Sequence, residues 1–221
     1  MGENYIVVQQ EGKTTVVERQ VNRRVVDYSA YYLTVEEVKQ LKDACMKYNE
    51  LAPNYLAMMC LMVNCGLRRS EVVNLKVQQV DFESGMVKLG FDTKTRLPRN
   101  IPFTDEVARA LKMVVGNRTD GYLLMHKSKG GSMRRYSTVA VSFIIAKLGR
   151  DVGIKPKSTG LRHLNPHLLR HTWTKLCKSA GIPEEQVQIM GGWSDVRMIR
   201  KVYGIPTYDA ISTSVKDKMR W

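Results

Sequence analysis

Asn165-Pro166-His167-Leu168-Leu169-Arg170-His171-Thr172-Trp173 reads as the opening of a helix that carries three ionisable side chains. Asn165 can cap the helix with its side-chain oxygen, and Pro166 fits the first helical position, where a missing N–H costs nothing. Gly181 ends it. Downstream, Pro183 starts a further helix up to Gly191-Gly192, and the last helices are expected around Ser194 to Tyr203 and Tyr208 to Lys218. Upstream, Asp151 to Arg162 is rich in Gly, Pro, Lys and Ser and reads as a loop, preceded by a helix from about Ser137 to Leu148.

Further towards the N-terminus, Thr34 and Glu37 have capping-box spacing, and Val35, Val38, Leu41 and Cys45 follow with helical periodicity. Pro53 and Asn54 open a second helix with an apolar stripe of Leu56, Met59, Cys60 and Val63, which reads as core before the chain turns at Gly66. A third helix carries Glu71, Val72 and Leu75. The runs VQQVDF, MVKLGF and RNIPF, with a basic turn from Asp92 to Leu97, then predict a small antiparallel sheet. After Thr104 the pattern is helical again, with Val107, Ala110, Leu111 and Val114 apolar. YIVVQQ and TTVVERQ around Glu11-Gly12-Lys13 suggest an N-terminal hairpin or arm. The expected fold is therefore mainly α with a small antiparallel β-sheet (α+β): an arm over residues 1–31 and one domain over residues 32–221.

The 221 residues, 43% hydrophobic, can bury a full core. Thirty-five Lys and Arg against 21 Asp and Glu leave a net charge of +14. That excess favours a polyanionic partner, with nucleic acid the leading candidate. Cys45, Cys60, Cys65 and Cys177 form no CxxC pair and read as reduced core residues. No stretch reaches the roughly 20 apolar residues of a membrane span, and the start, MGENYIVVQQ, lacks a signal-peptide pattern. A cytoplasmic, DNA-associated protein with no membrane partner is expected.

Three separated segments belong together: CGLRRSEVVNL (Cys65 to Leu75), NPHLLRHTW (Asn165 to Trp173) and MGGWSDVRMIRKVYG (Met190 to Gly204). In this order they resemble the active-site boxes of the phage integrase family, the tyrosine recombinases, over roughly Tyr32 to Tyr208. Lys94, Arg99 and Pro102 match the family's β-hairpin lysine and the R-x-x-P after it. The resemblance implies the catalytic-domain fold of that family and a site-specific recombinase or integrase that cleaves and rejoins double-stranded DNA through a 3′-phosphotyrosine and Holliday-junction strand exchange. Arg68 and Arg170 would grip nonbridging phosphate oxygens, a task suited to a planar guanidinium that stays charged. By the same resemblance His167 and Trp193 complete the pocket, and Trp193 stands where the family more often has histidine. Lys94 would be the general acid, Glu71 would support the pocket by orienting His167, His171 would be a further supporting residue, and Lys94, Arg96 and Arg99 would contact DNA. Tyr203 would be the nucleophile. It lies one residue further from Trp193 than the family's usual spacing, which leaves Tyr208 as the alternative.

Full-length members carry an N-terminal helical domain, which residues 1–31 are too short to supply, so that domain is expected to be absent. The resemblance implies no cofactor and no metal, with self-association into a tetrameric synapse on DNA. Two other activities fit parts of the pattern: type IB topoisomerase-like strand relaxation, and a non-catalytic architectural DNA-binding protein. Zinc is a further rival, because His163, His167 and His171 recur every four residues. The segment lacks the glutamate of H-E-x-x-H, however, and Arg170 would oppose a cation.

Overall fold

The computed structural model describes residues 5–10, 13–18, 31–90, 98–157 and 159–193, together with 212, 215, 216 and 219. Strands β1 (Tyr5–Gln10) and β2 (Lys13–Glu18) pair antiparallel as the N-terminal hairpin. Helix α1 (Val35–Cys45) starts at the Thr34–Glu37 capping box. Thr34 N–H donates to Glu37 Oε2 at 2.8 Å, and Glu37 N–H donates to Thr34 Oγ1 at 3.2 Å.

A 3₁₀ segment, Met46–Leu51, leads into α2 (Ala52–Val63). The sequence suggests an apolar stripe here, but every residue from Ala57 to Val63 is buried. A helix apolar on all sides belongs at the centre of a domain. Accordingly α2 packs against α1, α4 (Asp105–Val115) and α6 (Pro166–Ser179).

The short helix α3 (Arg69–Asn74) precedes the expected sheet, which is three-stranded and antiparallel in the order β3 (Val80–Asp81), β4 (Met86–Leu89), β5 (Arg99–Pro102). Leu89 pairs with Arg99 at its end. A third small sheet, β6 (Met125–Lys127) with β7 (Met133–Arg135), has no counterpart in the sequence reading. Its strands are three residues long and mostly polar, so they carry no alternating apolar signal.

Helix α5 (Thr138–Asp151), capped by Ser137, and helix α7 (Glu184–Gly191) complete the described elements. The buried side chains form one large core around α2 and a second, smaller one. The second contains Trp173, Cys177, Ile182, Val187, Ile189 and Met190, with Val215 and Met219 from the C-terminal segment. All four cysteines are free and buried. Among the described residues no helix is long and apolar enough to cross a membrane.

Candidate active site

Helix α6 begins as its sequence dictates: Asn165 Oδ1 accepts the Leu168 N–H at 2.9 Å, with Pro166 in the first turn. The cap fixes the rotation of the helix, and two side chains one turn apart then meet different surroundings. His167 is exposed, whereas Arg170 is buried and aligned with the core-facing Leu169 and Trp173. The Arg170 guanidinium donates to the carbonyls of Gly66 and Gly191.

Gly66, at the turn between α2 and α3, has φ +65°, and a Cβ there would fall inside the Trp173 indole. Glycine is thus required for α6 to approach this turn. Two residues later, Arg68 is the N-cap residue of α3. Its N–H donates to Glu71 Oε2 at 2.7 Å, its Nη1 to Glu71 Oε1 at 3.0 Å, and its Nη2 to the Gly192 carbonyl at 2.8 Å.

The end of α7 organises all of this. The successive carbonyls of Met190, Gly191 and Gly192 accept from Arg99, Arg170 and Arg68 respectively. The last carbonyls of a helix lack partners within it and form the negative end of its dipole, so a cation satisfies both needs. Gly191 and Gly192 permit the convergence: a Cβ on Gly191 would run into the Trp193 ring, and Gly192 is left-handed, with φ +62°. The sequence marks this segment only as a glycine-rich turn. The signal available in it was the helix C-terminus itself, a natural seat for arginine.

Arg99 is the one candidate that the structure moves to another role. The sequence reading assigns it to DNA contact, yet it is 3% exposed. Its Nη2 lies 2.9 Å from Glu71 Oε1 and its Nε donates to Met190 O at 2.8 Å. In this structure Arg99 thus joins β5, α3 and α7. Glu71 accordingly holds both Arg68 and Arg99.

The cleft of about 500 Å³ is lined by Arg68, Arg69 and Ser70 from the start of α3, Thr138 and Ser142 from α5, Asn165, Pro166, His167 and Arg170 from α6, and Trp193. Arg69 ties α3 to α5 through Ser142 Oγ at 2.6 Å. The Trp193 ring stacks on Trp173, with centroids 6.2 Å apart, and lies 4.7 Å from the Arg170 Cζ. One face of that guanidinium is therefore covered by a ring. His171, one turn beyond His167, is half-buried and does not line the cleft.

Partial desolvation of its ring against the cleft, then the Arg170 and Arg68 charges, hold His167 below the ordinary histidine value. Burial pushes Glu71 up, but Arg99, the Arg68 N–H and the Arg68 charge outweigh it and keep the carboxylate ionised. The result is a rigid cluster of cations whose anchored guanidinium groups have further N–H donors for an anion. Among the described residues no three His, Cys, Asp or Glu side chains lie together as a metal site would require. Lys94, Arg96, Tyr203 and Tyr208 lie outside the described residues.

The sequence matches the Phage integrase family over residues 31–208. It is 27% identical to the integrase of Salmonella phage P22 over 175 residues, which are 77% of this chain and 42% of that protein. It is 28% identical to tyrosine recombinase XerA of Pyrococcus furiosus over 88% of this chain and 60% of that one. The chain thus spans about half the length of the curated relatives it matches. Its fold is similar to the crystal structure of XerA recombinase, with a TM-score of 0.60 and 21% identity over 86% of this chain and 65% of that one. It is also similar to the Tn1549 transposon integrase in complex with circular intermediate DNA, with a TM-score of 0.62 and 19% identity over 89% and 67% of the two chains.

Proposed function

The chain belongs to the phage integrase family, and we propose that it is a site-specific DNA recombinase that cleaves and rejoins double-stranded DNA at the arginine cleft. The observation that carries the proposal is the convergence of Arg68 and Arg170, from elements a hundred residues apart in sequence, on one cleft together with His167 and Trp193. Two guanidinium groups, each fixed by a backbone carbonyl, suit a phosphodiester whose charge grows as a fifth oxygen approaches phosphorus. They need little reorganisation when that charge develops. His167 can donate a further hydrogen bond, and the Trp193 ring shields Arg170 from water.

In this reading the Tyr203 oxygen attacks phosphorus and the bond to the 5′ oxygen breaks. A 3′-phosphotyrosine remains, and Lys94 gives the departing oxygen its proton. The phosphate ester is exchanged rather than hydrolysed, so a 5′ hydroxyl can reverse the step on the original strand or a new one. No metal or cofactor takes part. Two such rounds, through a Holliday junction in a tetrameric synapse, would complete recombination.

The test is a denaturing gel of protein incubated with nicked duplex DNA in EDTA. Wild type should give a covalent adduct, Tyr203→Phe none, and Tyr208→Phe a normal amount. Arg68→Ala should slow the adduct by about 10²–10³-fold, the typical effect of removing one such donor. Loss of adduct only in Tyr208→Phe would move the nucleophile. Duplex binding without any adduct would sink the catalytic reading.

A further inference from the structure

The thirty residues from Gly121 to Arg150 contain no Asp or Glu and carry Lys127, Lys129, Arg134, Arg135, Lys147 and Arg150. Four of these cations sit on the β6–β7 hairpin, outside the cleft, and all four are exposed. Some exposed cations outside the hairpin are paired, Lys88 with Asp81, Lys147 with Asp151 and Lys178 with Glu184. Among the described residues Lys127, Lys129 and Arg134 have no ion-pair partner. Like charges gathered without counter-charges raise the energy of the isolated protein, a cost that a polyanion relieves.

The hairpin is firmly attached to the element that carries Arg68. Arg135 donates to Asn74, the last residue of α3, and its Cζ lies 5.2 Å from the Tyr122 ring centroid. Leu123 N–H donates to the Leu75 carbonyl at 2.7 Å, and Val77 N–H to the Gly121 carbonyl at 3.0 Å. The six residues of α3 span about 9 Å at 1.5 Å per residue. A DNA strand carries one phosphate per ~3.4 Å of helix axis.

We infer that the β6–β7 hairpin is a second phosphate-binding arm, which holds the DNA at phosphates other than the one in the arginine cleft. The inference rests on reading that cleft as a DNA-phosphate site. Lys127, Lys129 and Arg134 supply the contacts, while Arg135 anchors the hairpin. The loop between the strands suits the task. A side chain at Gly130 would meet nothing within 4 Å, so the fold does not require glycine there, and its absence lets backbone come close to a strand. Phosphates are the same in every sequence, so the arm adds affinity and orientation without discriminating between sites.

Fluorescence anisotropy of a labelled duplex, read at several salt concentrations, tests this directly. The triple variant Lys127→Gln/Lys129→Gln/Arg134→Gln should make the negative slope of log K against log[salt] shallower by roughly 2.7, about 0.9 for each phosphate no longer neutralised, equally on a cognate-like duplex and a scrambled one. Gly130→Glu should weaken binding with an unchanged melting temperature. An unchanged slope, alongside salt-dependent binding and adduct formation by the wild type, would overturn the arm and leave the cleft reading intact. A loss confined to one sequence would also overturn it, in favour of base contacts. A wild type without salt-dependent duplex binding would defeat the cleft reading, and the arm with it.

Discussion

Glu71 carries two arginines on one carboxylate, Arg68 and Arg99, where the family resemblance gives it the task of orienting His167. Its neighbours in sequence suggest a helix cap or a simple pair with Arg68. The partner that makes it indispensable, Arg99, comes from a strand 28 residues away. Arg99→Gln would leave the buried carboxylate with one cation in place of two and deprive the Met190 carbonyl of its donor. Breaking a buried pair in this way costs about 3–5 kcal/mol. The variant also has a pH signature. Because the folded carboxylate titrates below its ordinary value, its ionisation contributes stability that is complete above that ordinary value and is lost as pH falls through the depressed one. With Arg99 gone, burial is opposed by less charge, so the folded carboxylate titrates closer to its ordinary value and the acid-side loss of stability should be smaller and complete at higher pH. Urea denaturation between neutral pH and about pH 3, a range bracketing ordinary carboxylates, measures this. Superimposable pH profiles for variant and wild type, apart from a constant offset, would show that Arg99 does not control Glu71.

Among the elements, those with strong local chemistry are the ones the sequence reveals. The Thr34–Glu37 box starts α1, and Asn165 with Pro166 starts α6, because a cap satisfies backbone donors within three residues and needs no tertiary partner. Helix α2 was legible as a core helix from its apolar stripe, but not as one buried all round from Ala57 to Val63, since burial on all sides depends on what surrounds it. The β6–β7 hairpin was not legible at all: each strand is held to its partner by backbone bonds, while its side chains face solvent. The α6 cap also allows two roles of one residue to be separated, because Asn165 both caps the helix and lines the cleft. Asn165→Ala should cost about 1 kcal/mol of stability and weaken phosphate binding by letting the first turn, with His167, fray. Asn165→Asp keeps a good capping oxygen but adds a negative charge beside Arg68 and Arg170. It should therefore hold the wild-type melting temperature yet bind inorganic phosphate or duplex DNA more weakly than Asn165→Ala. Equal affinities for the two variants would mean that the cleft does not sense charge at this position.

On the scale of the whole molecule, the site is assembled across the chain rather than within any one segment. Arg170 reaches back 104 residues to Gly66, and Arg68 reaches forward 124 residues to Gly192. The residue types in each box could be read from the sequence, but their mutual anchoring through three consecutive carbonyls could not, because no local pattern encodes it. Helix α6, which lines the cleft, and α7, whose last carbonyls hold its arginines, also contribute the smaller core, where Val215 and Met219 are buried with Trp173, Cys177 and Val187. Met219 N–H donates to the Val215 carbonyl at 2.8 Å, and its sulfur lies 4.0 Å from Cys177 Sγ. Val215 and Met219 therefore pack against α6 and α7, and their packing should be felt at the arginines. Met219→Ala should cost about 2–5 kcal/mol, as large-to-small core changes do. Amide hydrogen exchange should localise the loosening to α6 and α7, with α1 and α4 little changed. Because Arg170 and the α7 carbonyls hold each other in place, adduct formation should fall further than duplex affinity, which many surface cations share. Equal losses in both, with α6 and α7 still fully protected, would show instead that Val215 and Met219 pack on the domain without bracing its cleft.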